Sequence, residues 1–284
     1  MNDQRIAIVT DSGTDTPAEF VAAHDIRVAP LTINYADGSY RAGVDITSAE
    51  VCERFSTEVP TTSLPSPDVI RSIFEKARED GYVGAVFVSI SSGLSATNST
   101  VHMVADQMED FPIAVVDTKS IGVAAGMVVM AAAEMVEAGE PLCVLQDKLE
   151  TLAEKTDVYF CCKELEHLRH GGRISEPVYR LGSVLNIKPI ITCNEEGRYV
   201  PCKKARGWDK ALDVMVNLVA EKAKAFPKAI VAICCSAAED DFDLLEAKVT
   251  ERIPNVAKLV RSDFSPALIV HTGPYVVGMG VQPA

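Results

Sequence analysis

The sequence predicts an α/β protein of two domains. Residues 1–157 read as an N-terminal α/β domain on a mainly parallel sheet, and residues 158–284 as a C-terminal α/β domain with a mixed or antiparallel sheet. Three observations lead there. A length of 284 residues exceeds one ordinary domain. Strand-like and helix-like segments alternate up to about residue 155, as they do where a parallel sheet is covered on both faces. Beyond it, Lys188–Thr192 and Arg198–Lys204 flank the turn signal Glu195-Glu196-Gly197, which is hairpin grammar.

The elements follow in order. Arg5–Thr10 (RIAIVT) reads as a buried strand, with Asp11-Ser12-Gly13 at its carboxyl end. Asp15-Thr16-Pro17 starts a helix, with proline near its first position. Ile26–Tyr35 reads as one strand-like run, and Ala36-Asp37-Gly38-Ser39 as a turn into a short hairpin reaching Asp45. Thr47-Ser48-Ala49-Glu50 has capping-box spacing. Two prolines hold Thr61–Pro67 extended and without regular structure, after which Ser66 caps a helix and Pro67 opens it. Tyr82–Ile90 and Ile113–Asp117 are strands, a helix starts near Ser95, and Ser120–Ala138 is a helix rich in small residues. In the second half, Val158–Cys162, Ala229–Ser236 and Val256–Arg261 read as strands, Trp208–Phe226 and Asp240–Ile253 as helices. Gly278-Met279-Gly280 is given no element.

Bulk properties exclude several functions. A net charge of −13 repels nucleic-acid phosphates and anionic membrane surfaces. The longest apolar run, Ile121–Ala133, is too short to span a bilayer. The start, MNDQRIAIVTDSG, lacks the long apolar segment of a signal peptide, so a cytoplasmic protein is expected. The eight cysteines include the pairs Cys161-Cys162 and Cys234-Cys235 but no CxxC, so reduced, packed thiols and no metal are expected.

Open α/β sheets bind ligands beyond the carboxyl ends of their strands. Asp11-Ser12, Ser91-Ser92 and Asp117-Thr118 all follow predicted strands and are expected to converge on one crevice with Thr61-Thr62-Ser63. A set rich in hydroxyls and poor in acids and bases suits an anion held by neutral donors and a helix N-terminus. Each Ser or Thr also fits a plain N-cap, His271 a core or turn histidine, and Gly273-Pro274 a turn. The residues alone therefore reach an anion-binding α/β protein, with a phosphate or sugar binder also open. GxSxG, GxxxxGK[ST] and a GxGxxG opening a helix after a strand are absent. A Ser95–His271 pair oriented by Asp11 keeps a serine hydrolase or acyltransferase open as the alternative.

Six segments in register resemble one family. Val9-Thr10-Asp11-Ser12 resembles its TDS signature, Thr62-Ser63-Leu64-Pro65-Ser66-Pro67 its TSxPSP, and Ser91 to Thr97 its SSGLSGT. Leu168 to Ser175 is similar to LRKGGRIS, Lys203 to Gly207 to a basic segment ending in RG, and His271-Thr272-Gly273-Pro274 to HTGP. The family is DegV, whose bacterial members bind fatty acids. The resemblance implies a long-chain fatty acid such as palmitate, stearate or oleate in a tunnel between or beside the domains, and no cofactor. It implies a carboxylate held by Thr62 and Ser95 with His271 nearby, and places Asp11, Ser12, Ser63, Ser92, Gly93, Gly126 and Gly273 around the pocket. It further implies a non-enzymatic carrier that presents the fatty acid to a separate ATP-dependent fatty acid kinase and then carries the acyl phosphate. Arg173, Lys203 and Arg206 would face that kinase or the phosphate.

The chain departs from the family pattern at Ala96, where Gly is usual, at His170, where Lys is common, and at Tyr275, where Gly is frequent. These bear on ligand length and kinase pairing. Gly122, Ala124, Ala125, Gly126, Met127 and Met130 make the Ser120–Ala138 helix a candidate tunnel wall, or alternatively a closely packed core helix.

Overall fold

β1 (Ile6–Asp11) is buried at every position, as an unbroken apolar run requires of a strand covered on both faces. The computed structural model describes residues 2–183, 186–236 and 239–284. After β1 come α1 (Ala18–Ala23), β2 (Arg27–Ala29), β3 (Thr32–Tyr35), β4 (Gly38–Arg41), α2 (Ser48–Arg54) and β5 (Thr61–Ser63). α3 (Pro67–Glu79), β6 (Gly84–Ser89), α4 (Thr97–Ala105), β7 (Ile113–Asp117), α5 (Gly122–Glu137) and α6 (Leu142–Ala153) complete this half. Four strands form an all-parallel sheet in the order β2-β1-β6-β7. Alternate side chains of β1 and β6 face α5 and α6 on one side and α3 and α4 on the other.

Two expectations for this half need correction. The run Ile26–Tyr35 is not one strand. Pro30 has no N–H to offer a ladder, and the Leu31 N–H is taken by Ser12 Oγ at 2.9 Å, so the chain leaves the parallel sheet after Ala29. β3 then pairs antiparallel with β4 and β5 in a separate three-stranded sheet of order β4-β3-β5. Thr61–Ser63, expected to lack regular structure, is therefore a strand, with Thr62 opposite Ile33. The local signals otherwise act as read. Thr47 and Glu50 close a capping box, and Ser66 Oγ accepts from Val69 N ahead of Pro67.

The second half runs β8 (Asp157–Cys162), α7 (Glu166–His170), α8 (Glu176–Ser183), β9 (Ile187–Cys193) and β10 (Tyr199–Arg206). α9 (Trp208–Ala223), β11 (Ala229–Cys235), α10 (Glu239–Arg252), β12 (Val256–Asp263), α11 (Pro266–Thr272) and β13 (Val276–Pro283) follow. The sheet order is β10-β9-β8-β13-β11-β12, mixed because only β11 and β12 run parallel. β13 carries the Gly278-Met279-Gly280 stretch and lies between β8 and β11. Its two glycines break the β-branched pattern that marks a strand. A side chain on Gly280 would meet Met127 Sδ at 2.7 Å and Ala124 Cα at 3.2 Å, so α5 rests directly on this strand.

α5 is apolar on nearly all sides and buried along almost its whole length, and it packs against β1 and β6 of one sheet and β8, β11 and β13 of the other. Among the described residues no helix is long and apolar enough to cross a membrane.

Candidate functional site

Between the three-stranded sheet, the Ser95 loop and α11 lies a chamber of about 330 Å³. Thr62, Ser63, Ser95, Arg173 and His271 supply its polar wall, and Leu31, Ile90, Ile121 and Leu268 its apolar one. β5 brings Thr62 there because Ile33 anchors the partnered strand in the core with no exposure. His271 stands in the last turn of α11, whose other residues from Pro266 to Val270 are buried. Thr62 Oγ1 and His271 Nε2 lie 2.7 Å apart.

Burial pushes the His271 imidazole down to about 4, with the Arg173 guanidinium and His167 adding to the shift, so the ring is neutral at pH 7. Among the described residues its Nδ1 is buried without a partner, packed against Gly171, where a side-chain carbon would sit 2.3 Å away. A neutral imidazole carries one N–H. Placing it on Nε2 avoids stranding a buried donor, and Nε2–H then donates to Thr62 Oγ1. The Thr62 hydroxyl hydrogen is left to donate to an anion in the chamber.

Arg173 reaches the chamber through the way α7 ends. Leu168 is fully buried, the Arg173 N–H returns to the Leu168 carbonyl at 3.0 Å, and Gly172 takes a left-handed φ of 70°. The guanidinium also donates to the Gly171 carbonyl. Ser95 Oγ contacts Thr97 Oγ1 at 2.8 Å and accepts from Thr97 N at 3.2 Å, one residue ahead of the Ala96 N-cap of α4, and it also lines the chamber. Ser63 Oγ accepts from Asn34 Nδ2 at 2.9 Å.

A second, narrow cavity of about 20 Å³ adjoins the first and shares Ile121, Tyr199, Leu268 and Thr272 with it. Gly122, Val123, Phe160, Phe264 and Gly278 are among the residues that line the rest of its wall. The pair thus grades from hydroxyls, an imidazole and a guanidinium into an almost wholly apolar cleft, a passage whose 20 Å³ is room for about one water and must widen to take an acyl chain. That arrangement suits an amphiphile with an anionic head.

The whole chain has known counterparts. The family model described as "Uncharacterised protein, DegV family" matches residues 5–284. The chain belongs to the DegV family. A DegV domain-containing protein of Clostridium perfringens is 34% identical over 279 residues, covering 98% of this chain and 99% of that one. One from Streptomyces coelicolor is 34% identical over 284 residues, with 98% and 99% covered. Among solved structures, a Thermus thermophilus DegV family protein described by its fatty acid binding superposes with a TM-score of 0.91 at 30% identity, covering 98% of this chain and 99% of that one. A stearic acid-binding protein from Eubacterium ventriosum gives a TM-score of 0.87 at 25% identity, with 98% of each chain covered.

Not every residue picked out by the DegV segments reaches the chamber, and the strand ends open on more than one crevice. Asp11 and Ser12 line a separate groove of about 1110 Å³. Asp11 is fully buried, accepting from Gly13 N and Ile90 N at 2.9 Å each, and burial pushes its carboxyl up to about 6. It ties β1 to the end of β6 and does not orient His271. Nor does Ser95 bond to His271, whose partner is Thr62. Asp117 and Thr118 line a third crevice of about 630 Å³. Ser92 Oγ donates to Asp117 Oδ2 at 2.6 Å, and Gly93 lies under the Glu196 carbonyl.

Gly126 faces the loop after β1, where a side-chain carbon would meet the Thr14 carbonyl at 2.5 Å. Only the first turn of α5, with Ile121 before it, borders the passage, through Gly122 and Val123. Gly273 ends α11 with φ 77° and packs against the His167 ring. Lys203 and Arg206 are exposed on β10, an edge strand, outside the chamber lining. Sequence reasoning missed Tyr199, Leu268, Phe160 and Phe264. Leu268 alone left a signal, three residues before His271 on one helix face.

Proposed function

We propose that this DegV protein binds one long-chain fatty acid, its carboxylate against Thr62 and Ser95 beside neutral His271 and Arg173, its tail running past Ile121, Tyr199 and Leu268. The observation that carries the reading is the junction of the polar chamber with the apolar passage. The T. thermophilus and E. ventriosum relatives, described as binding fatty acid and stearic acid, support it. Burial of methylenes at about 0.8 kcal/mol each gives most of the affinity, and the head group fixes orientation. In this reading residues 1–157 and 158–284 are two cytoplasmic domains with the ligand between them.

Native mass spectrometry of the purified protein is expected to show a bound fatty acid, released on denaturation. A protein that neither carries nor takes up such a ligand would overturn the reading. The rival reading is a serine hydrolase or acyltransferase using Ser95 and His271, but Ser95 Oγ bonds to Thr97 and His271 to Thr62. It is the weaker one, because Nδ1 has no orienting carboxylate and a ring held near 4 is a poor base at pH 7.

We further propose that the bound carboxylate is phosphorylated by a separate ATP-dependent fatty acid kinase and that the protein then carries the acyl phosphate. The chain has no phosphate-binding nucleotide loop of its own. Arg173 in the chamber is suited to grip a phosphoryl group through two parallel hydrogen bonds, and Lys203 and Arg206 to meet an acidic kinase surface. Arg173→Ala is expected to retain fatty acid but lose kinase-dependent phosphorylation, measured as acyl phosphate formed with the cognate kinase. Formation at the wild-type rate would remove Arg173 from that role.

A further inference from the structure

Ser91 is fully buried and does not line the chamber, yet its hydrogen bonds run to three segments that each carry a lining residue: the Ser95 loop, the segment before Ile121 and the turn before Tyr199. Its N–H donates to the Ser120 carbonyl at 2.7 Å, next to Ile121. Its carbonyl accepts from Leu94 N and Ser95 N at 3.1 Å each, which folds the loop that presents Ser95. Its hydroxyl accepts from Gly93 N at 3.0 Å and donates to the Gly197 carbonyl at 2.8 Å. Gly197 belongs to the β9–β10 turn, two residues before Tyr199, which lines both cavities.

The fit at this junction excludes side chains. A carbon on Gly197, whose φ is 72°, would lie 1.9 Å from Ser91 Oγ, and one on Gly93 would lie 2.4 Å from the Glu196 carbonyl. The turn therefore seats backbone to backbone on the Ser95 loop. Among the described residues only the Ser91 hydroxyl bonds across the junction while also holding the loop from within.

We propose that Ser91 is a positioning residue for the fatty-acid head group: it latches the β9–β10 turn to the Ser91–Ser95 loop and so holds Ser95 and Tyr199 in register with Ile121. The proposal rests on the fatty-acid reading. A buried serine that only satisfied its own loop would affect stability without affecting what the chamber distinguishes. A latch governs recognition of the carboxylate, because a displaced Ser95 no longer meets it while the apolar passage still accepts the tail.

The test compares binding of oleate and of methyl oleate, which share a tail and differ in head-group charge. Wild type is expected to prefer oleate. Ser91→Ala should lower that preference by about ten-fold, the weight of one hydrogen bond to a charged group, with methyl oleate affinity nearly unchanged. Ser95→Ala serves as the reference for loss of the head-group contact. In wild type, hydrogen exchange on oleate loading should slow together at Leu94–Ser95, at Gly197 and at Ile121–Gly122, a readout that needs no variant. Undiminished preference in folded Ser91→Ala, or protection confined to the Ser95 loop, overturns the latch alone. If wild type binds neither compound, the fatty-acid reading falls and the latch with it.

Discussion

Thr62→Ala combined with Ser95→Ala is expected to weaken fatty-acid binding by about 10²- to 10⁴-fold, since each hydrogen bond to a charged group contributes roughly 1.5–3 kcal/mol. The two hydroxyls come from opposite walls of the chamber, Thr62 from β5 and Ser95 from the loop before α4. Neither is a core residue. Ser95→Ala also removes a local hydrogen bond to Thr97, which costs about 0.5–1.5 kcal/mol and which a stable fold of this size absorbs. Direct titration of a fluorescent fatty acid would give the affinities, and thermal melts of the empty proteins would separate binding from folding. An unchanged affinity in the double variant would remove both residues from the head-group site.

The second large effect concerns Asp15, which takes no part in the chamber. It is 6% exposed and lies where the loop after β1 meets the segment before α11. Oδ1 accepts from Ser265 N at 2.9 Å, and Cys234 Sγ lies 3.8 Å from Oδ2. Burial, helped by nearby Asp11, pushes its carboxyl from 3.8 up to about 8. The folded protein therefore keeps a proton that the unfolded chain releases near pH 4. The stability that Asp15 contributes is fully present below pH 3.8 and is lost as pH rises through about 8. Over that window the loss is at most about 1.4 kcal/mol per pH unit. Asp11, pushed up to about 6, adds a loss of the same sign over the lower part of the window. Asp15→Asn keeps the acceptor for Ser265 and removes the titration. Urea unfolding between pH 5 and 8 should show wild-type stability falling more steeply than that of Asp15→Asn. Parallel pH profiles for the two would refute the assignment.

Asp15 also shows where a sequence stops being legible. Asp15-Thr16-Pro17 reads as a helix start, and α1 does begin at Ala18. Nothing local announces that the acid is buried by Ser265 and Cys234, more than two hundred residues away. The same holds at the site. The segments resembling TSxPSP and HTGP marked Thr62 and His271, but their contact spans 209 residues and follows from packing alone. Elements defined by their own residues were legible. β7 spans Ile113–Asp117 as its apolar run predicts, and the Thr47–Glu50 box caps α2. Elements defined by a distant partner were not. β5 is a strand because Ile33 pairs with it, and β13 is hidden by two glycines, of which Gly280 admits α5 and Gly278 the Phe264 ring. The glycines of the Leu168–Ser175 segment end α7 and make room for the His271 ring, which no local pattern announces.

α5 has a consequence for how the molecule comes apart. Val128 and Val129 belong to the core of the parallel sheet, while Ala124 and Met127 belong to the cluster shared with Phe160, Val276 and the chamber residues. One helix thus serves two sheets, and neither sheet can open its inner face without uncovering the same sixteen-residue element. Denaturation then has no cheap halfway state in which one half of the chain melts and the other persists. The two halves are therefore expected to unfold in one transition, and a ligand bound beside the first turn of α5 is expected to raise the midpoint of both.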